Sequence, residues 1–253
     1  MTTGADGRRV GLWLGILSFG TFVAVTSELL PIGILPQISS GLGVSTSVAG
    51  LTVTLFAALV AITAIPLTSL TERAPRKSLL VVTILGYTLS NLIAALSPDF
   101  AVLCVARVLG GLSHALFYPV VTAYAPALVS PHRVGRALAI TFAGASLGAV
   151  LGVPLTSFIG QQTSWHFAFL TMAIASAVLV VFILVFLPPL AGTMRTAERG
   201  PRARPRTGLA AVMIADALVS ADTTPPTHTS DRCWGCRASA APVSAERSLS
   251  SAL

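Results

Sequence analysis

The chain has 253 residues, 54% of them apolar and only 10% charged, with a net charge of +7 and a mean hydropathy of +0.83. A soluble domain carries roughly 25% charged residues, so this chain lacks the charged coat of a typical cytosolic enzyme, and an integral membrane protein is the class that fits. Three cysteines are too few for a disulfide scaffold, and the placement of the positive charge argues against a nucleic-acid partner.

Charge-free runs set out the elements. No charged residue lies between Arg9 and Glu28, from Leu29 to Thr71, from Ser78 to Pro98, from Val108 to Pro131, or from Ala137 to Met194. A helix needs about 20 apolar residues to cross the hydrocarbon core. In lipid the backbone must bond to itself, and runs such as LLVVTILGYTLSNLIAAL do not alternate as barrel strands would. Breakers divide the long runs: PQISSGLGVSTS from Pro36, SPDF from Ser97, and GQQTS from Gly160. Six spans are predicted, near 10–35, 47–68, 78–97, 100–126, 135–159 and 165–188. The fold class is an all-α polytopic bundle. Residues 1–9 precede it and 189–253 form a tail.

Basic residues alternate between loops. Arg8 and Arg9 precede the first span. Arg73, Arg76 and Lys77 follow the second, Arg133 and Arg136 the fourth, and Arg195 the sixth. The alternate loops carry Asp99 and no Lys or Arg. This positive-inside pattern predicts that both ends are cytoplasmic. A twin-arginine export signal is the other reading of Arg8-Arg9; no small-residue cleavage site follows it, which favours a retained first helix.

After Pro189 the composition shifts to Arg, Pro, Ser and Thr, and half of the 16 basic residues lie there. That composition predicts disorder. Gly208 to Ala221 is apolar but 14 residues long and holds Asp216, too short for a span. Cys233 and Cys236, with His228 nearby, have the spacing of a redox pair or half a zinc site. A structural zinc site needs four ligands in a closed geometry, and chance cysteines in a tail is the plainer reading. No cofactor or metal is expected.

Two full charges fall inside the spans, Glu28 and Arg107. Burying charge in lipid costs at least about 2.5–3.5 kcal/mol at a helix centre. At a rise of about 1.5 Å per residue, both lie roughly 10 Å from the outer end of their spans, and Asn91 lies at about the same level. Two readings stand. In one, Arg107 is a fixed cation and Glu28 a titratable acid. Pairing favours the ionised acid and desolvation the neutral one, so such a group can exchange a proton as a cavity opens and closes. In the other, the two form a static salt bridge between the first and fourth helices. His114 lies deeper in the fourth span, either lining a solute path or sitting neutral against a backbone or hydroxyl partner. Tyr118-Pro119 marks a candidate bend. Gly144, Gly148 and Gly152 recur every four residues and so share one helix face. Such a stripe lets backbones approach closely, and Pro154 is expected to bend or loosen the helix behind it.

These features together resemble the N-terminal half of a major facilitator superfamily transporter, in the drug and sugar efflux branch of proton antiporters. The first helix reads Thr26-Ser-Glu28-Leu-Leu-Pro31 through Pro36, similar to that branch's acid-then-proline pattern. The loop after the second span runs Thr68-Ser-Leu70-Thr-Glu72-Arg73-Ala-Pro75-Arg76-Lys77. It resembles the family's gating loop, with Glu72 for the usual Asp and Thr68 and Pro75 in place of glycines. Arg107 in ARVLGG stands where the family has its proton-coupling arginine. The Gly144, Gly148, Gly152 and Pro154 stripe resembles the antiporter motif, with Thr156 where glycine is common. Trp165-His-Phe-Ala-Phe169 resembles the family's Gly-Trp-Arg-x-x-Phe.

The resemblance implies two inverted three-helix repeats. It also implies a bacterial plasma-membrane location, the lipid bilayer as surroundings, and a small-molecule solute and protons as cargo. Glu28, Arg107, Asn91 and His114 would then serve proton coupling or the solute path, and Glu72, Arg73, Arg76 and Lys77 would gate. Six further spans are not visible. The expectation is therefore a truncated or half-length transporter, working with a copy of itself or a second half, or else an inactive fragment or a membrane-embedded regulatory subunit. A membrane enzyme is the competing class. His132, His166 and His228 fall in loops or the tail, and no nucleophile with a base partner is apparent. No Gly-rich phosphate loop supports ATP-driven transport.

Overall fold

The computed structural model of the protein describes residues 4–72 and 74–190. They form α1 (Gly4–Gly33), α2 (Leu35–Leu42), α3 (Thr46–Leu70), α4 (Arg76–Ala95), α5 (Phe100–Ala127), α6 (Val134–Leu147), α7 (Val153–Gln162) and α8 (Trp165–Phe186). A 3-10 turn at Pro131–Arg133 leads into α6, and a π-helical turn at Gly148–Gly152 joins α6 to α7. Among the described residues, six segments are long and apolar enough to cross a bilayer: Gly7–Gly33, Thr46–Leu70, Arg76–Ala95, Phe100–Ala127, Pro131–Gln162 and Trp165–Phe186. Arg73, Arg195, His228, Cys233, Cys236 and the tail from 191 onward lie outside the described residues.

Local chemistry sets several helix starts. The Ser45 hydroxyl accepts from Val48 N at 3.2 Å to open α3. The Asp99 carboxylate accepts from Val102 N at 2.9 Å to open α5. Each satisfies one of the donors that a helix start leaves unpaired. The stretch expected to be a plain breaker after Pro36 instead contains α2. Pro36 lies in its first turn, where a missing N–H costs no helix bond. Ile38 is buried, and Gly43, at φ +64, ends the helix in the left-handed conformation that glycine adopts without strain.

The packing carries the signature of two related halves. The first repeat is α1, α3 and α4; the second is α5, α6 with α7, and α8. The contacts pair α1 with α6 and α7, α3 with α5, α4 with α8, α4 with α5, and α1 with α8. Exchanging the repeats maps the α1–α6 pairing onto α5–α3, the α4–α5 pairing onto α8–α1, and α4–α8 onto itself. This is what an internally repeated six-helix bundle requires.

Two apolar clusters fill the interior. One gathers Leu17, Tyr87, Phe117, Val121 and Leu179 towards the start of α1. The other gathers Leu30, Ile34, Leu103, Trp165 and Phe169 towards the α4–α5 loop. Between them runs a layer of buried polar residues that includes Ser27, Ser90, Asn91, Arg107, His114 and Ser176.

Candidate functional site

Pro31 shapes the layer. A helical carbonyl normally accepts from the N–H four residues on. For Ser27 that residue is Pro31, which has no N–H. The carbonyl of Ser27 instead accepts from Arg107 Nη1 at 3.1 Å, and Nη2 donates to the carbonyl of Glu28 at 3.3 Å. The guanidinium, 1% exposed, also lies over the ring of Phe56 from α3, with Cζ 4.3 Å from its centroid. A cation over an aromatic face is attracted by the ring quadrupole, more strongly when water is excluded. Arg107 Nε is buried without a hydrogen-bond partner among the described residues. From α4, Asn91 Nδ2 donates to Ser27 Oγ at 3.1 Å and to the carbonyl of Tyr87 at 3.0 Å. Glu28, Asn91 and Arg107 thus meet around one turn of α1, as their shared depth implied.

The pairing differs from the expected salt bridge. Among the described residues, no carboxylate oxygen of Glu28 comes within ion-pair distance of Arg107; its Oε2 lies 3.7 Å from His114 Nε2 instead. Arg107 holds the first helix through main-chain oxygens, which leaves the acid its own partner. His114 Nδ1 is 2.8 Å from the hydroxyl of Tyr87. With that hydroxyl donating, Nε2 carries the ring proton and faces the carboxylate. Tyr118 and Phe56 flank the imidazole at 5.0 and 5.2 Å between ring centroids. The side chain of His114 is 9% exposed and that of Glu28 37%. The carboxylate is therefore reachable while its partner is enclosed. Ser27, Phe56 and Tyr87 were missed by sequence reasoning. Pro31 four residues after Ser27, and Tyr87 four residues before Asn91, were the available signals.

The basic residues that open α4, Arg76 and Lys77, are clasps at one end of the bundle. Arg76 Nη1 donates to the carbonyl of Ala123 at 2.5 Å. Lys77 Nζ donates to the carbonyls of Leu184 and Leu187 at 3.0 and 2.6 Å. Helix C-termini present unpaired carbonyls and partial negative charge, which cations complement. Glu72 is exposed.

The glycine stripe faces α1. A methyl group on Gly144 would overlap the Ser18 carbonyl; on Gly148 it would stand 2.7 Å from the Phe22 carbonyl; on Gly152 it would overlap the Thr26 hydroxyl. Thr21 Oγ1 donates to the carbonyl of Thr141 at 2.6 Å across the same crossing. The irregularity expected at Pro154 falls just before it, in the π turn, and Pro154 itself occupies the first turn of α7.

A bundle with six segments of membrane-spanning length that encloses a charged, hydrogen-bonded layer has the architecture of a multi-pass membrane protein, in which such a layer marks a functional site. The chain is a member of the Major Facilitator Superfamily, whose sequence model matches residues 17–236. It is 36% identical over 180 residues to a chloramphenicol efflux pump of Mycobacterium tuberculosis, covering 71% of this chain and 44% of that one. It is 31% identical over 172 residues to the inner membrane transport protein YdhP of Escherichia coli, covering 68% of this chain and 44% of that one. The chain thus spans less than half the length of these curated relatives. In fold it is similar to a peptide transporter POT crystallised in complex with sulfate, with TM-score 0.64 and 21% identity over 85% of this chain and 45% of that one.

Proposed function

We propose that this bundle is one half of a proton-coupled exporter of small molecules, of drug or sugar type, in a bacterial plasma membrane, with both ends of the six-helix block on the cytoplasmic side. Glu28 and His114 hold the exchanged proton, Arg107 and Asn91 fix the layer around them, and the clasps of Arg76 and Lys77, with Glu72 and Arg73, belong to the gate. The reading rests on one observation: the half-exposed carboxylate of Glu28 faces His114 at 3.7 Å, while Arg107 is committed to main-chain carbonyls. An acid not locked into a salt bridge can gain and lose a proton, and each change alters the charge of a buried layer by one. Alternating access in this class is largely a rocking of one half against the other. A second six-helix block, supplied by further sequence, a second copy or a separate polypeptide, completes the path. Residues 189–253 form a cytoplasmic tail on this reading. The likeness to a chloramphenicol efflux pump makes chloramphenicol the first solute to try.

The test is uptake of chloramphenicol into vesicles holding the full chain under an imposed pH gradient. Gradient-driven uptake that is lost in Glu28→Gln is expected; uptake indifferent to an uncoupler overturns the proton-coupled reading. A second reading rests on the coverage of 44% of the curated relatives: the bundle transports nothing alone and acts as an inactive fragment or a membrane-embedded partner. Absence of uptake both by the chain alone and after co-reconstitution with a separate second half favours it.

A further inference from the structure

We propose that a cavity at the opposite end of the bundle from the α4–α5 loop binds the headgroup of an anionic phospholipid. The cavity has a volume of about 660 Å³ and lies between the start of α1, the end of α5 and the start of α6. That volume falls within the 300–1,000 Å³ typical of small-molecule sites. Val10, Leu14 and Ile140 give it apolar walls, and His132, Arg133 and Arg136 are basic groups on its lining. No acidic side chain is among the described residues that line it. Both arginines are exposed, and His132 Nε2 lies 3.3 Å from Ser130 Oγ. Apolar walls below and cations above match the two ends of a phospholipid, acyl chain and phosphate. Basic pockets between spans at the membrane surface bind anionic headgroups by this chemistry.

The α1 wall adds an independent observation. Gly7 and Gly11 both line the cavity, and nothing lies within 4 Å of a Cβ placed on either. Unlike Gly144, Gly148 and Gly152, they serve no close helix contact within the described chain; they leave room. Gly11 is 17 residues before Glu28 on α1, about 25 Å along the axis. The cavity is thus distinct from the polar layer.

The test is native mass spectrometry of the delipidated full chain in detergent, titrated with phosphatidylglycerol or phosphatidylcholine. Phosphatidylglycerol is expected to bind at least about tenfold more tightly. Arg133→Gln with Arg136→Gln is expected to erase that preference, each arginine contributing about fivefold. Gly11→Phe fills the cavity and is expected to abolish binding of both lipids. Inorganic phosphate in equal concentration is expected not to displace the lipid. Equal binding of the two lipids, unchanged binding in Gly11→Phe, or displacement by inorganic phosphate overturns the proposal. Should Gly11→Phe fail to fold, the double arginine variant, altered only at exposed side chains, decides alone.

Discussion

Arg107 supplies to the carbonyl of Ser27, at 3.1 Å, the hydrogen bond that Pro31 cannot. A break in one helix is thereby repaired by the side chain of another, and the repair ties α1 to α5 inside the apolar interior. Replacing Arg107 with alanine leaves that carbonyl bare in a dry setting. A loss of about 1.5–3 kcal/mol is expected, the range for a hydrogen bond to a charged group. Pro31→Ala restores the missing N–H, so the cost of Arg107→Ala should fall by about 1 kcal/mol in that background. A double-mutant cycle of thermal stability in detergent measures it; strict additivity would show the two residues to be unconnected.

The glycine stripe makes a steric prediction. Gly148→Ala places a methyl group 2.7 Å from the Phe22 carbonyl, and a backbone atom cannot step aside as a side chain can. A destabilisation of about 1–3 kcal/mol is expected from this overpacking. Gly135→Ala, which meets nothing within 4 Å, should leave the melting temperature unchanged. Equal effects of the two substitutions would count against the close crossing of α1 and α6.

Tyr87→Phe removes the hydroxyl that fixes His114 Nδ1 at 2.8 Å. Stability should drop by about 0.5–1.5 kcal/mol, the net worth of one such bond. Freed to turn, the imidazole no longer presents the same nitrogen to Glu28. Gradient-driven uptake should therefore fall by more than uptake driven by the solute's own gradient. A parallel fall in both would assign Tyr87 to packing alone.

Much of this layout was legible in the sequence, and the reasons are physical. Charge is costly in lipid, so gaps between charged residues reported the spans directly, and the same cost singled out Glu28 and Arg107. The level shared by these two and Asn91 followed from the rise of a helix. Partner choice was not legible. Whether Arg107 meets the carboxylate of Glu28 or main-chain oxygens depends on helix rotation, which periodicity fixes poorly when every face is apolar. The helix α2 was hidden because Pro36, Gly41 and Gly43 read as breakers, although a proline in a first turn and a glycine at an end are compatible with a short helix. Lys77 read as a topology signal, while its reach to the carbonyls of Leu184 and Leu187 depends on where α8 stops.

That clasp gives another expectation. Lys77→Met removes the donor to both carbonyls while keeping the length of the side chain. A loss of about 1–2 kcal/mol is expected, in line with a charged group at a helix C-terminus, and Lys77→Arg should recover most of it. Thermal unfolding in detergent reads the difference; failure of arginine to restore stability would assign the effect to chain packing rather than to charge.

The widened turn at Gly148–Gly152 accommodates one residue more than an ordinary helical turn would. Everything after it, from Val153 to Gln162, is rotated about the axis relative to an unbroken rod. Excising a single amino acid there would let the turn close to an ordinary α turn and leave Thr156, Ser157 and Gly160 on the surfaces they now cover. Indels in most helices scramble the register of every residue downstream; here the wide turn can give one residue up without passing the shift along the chain.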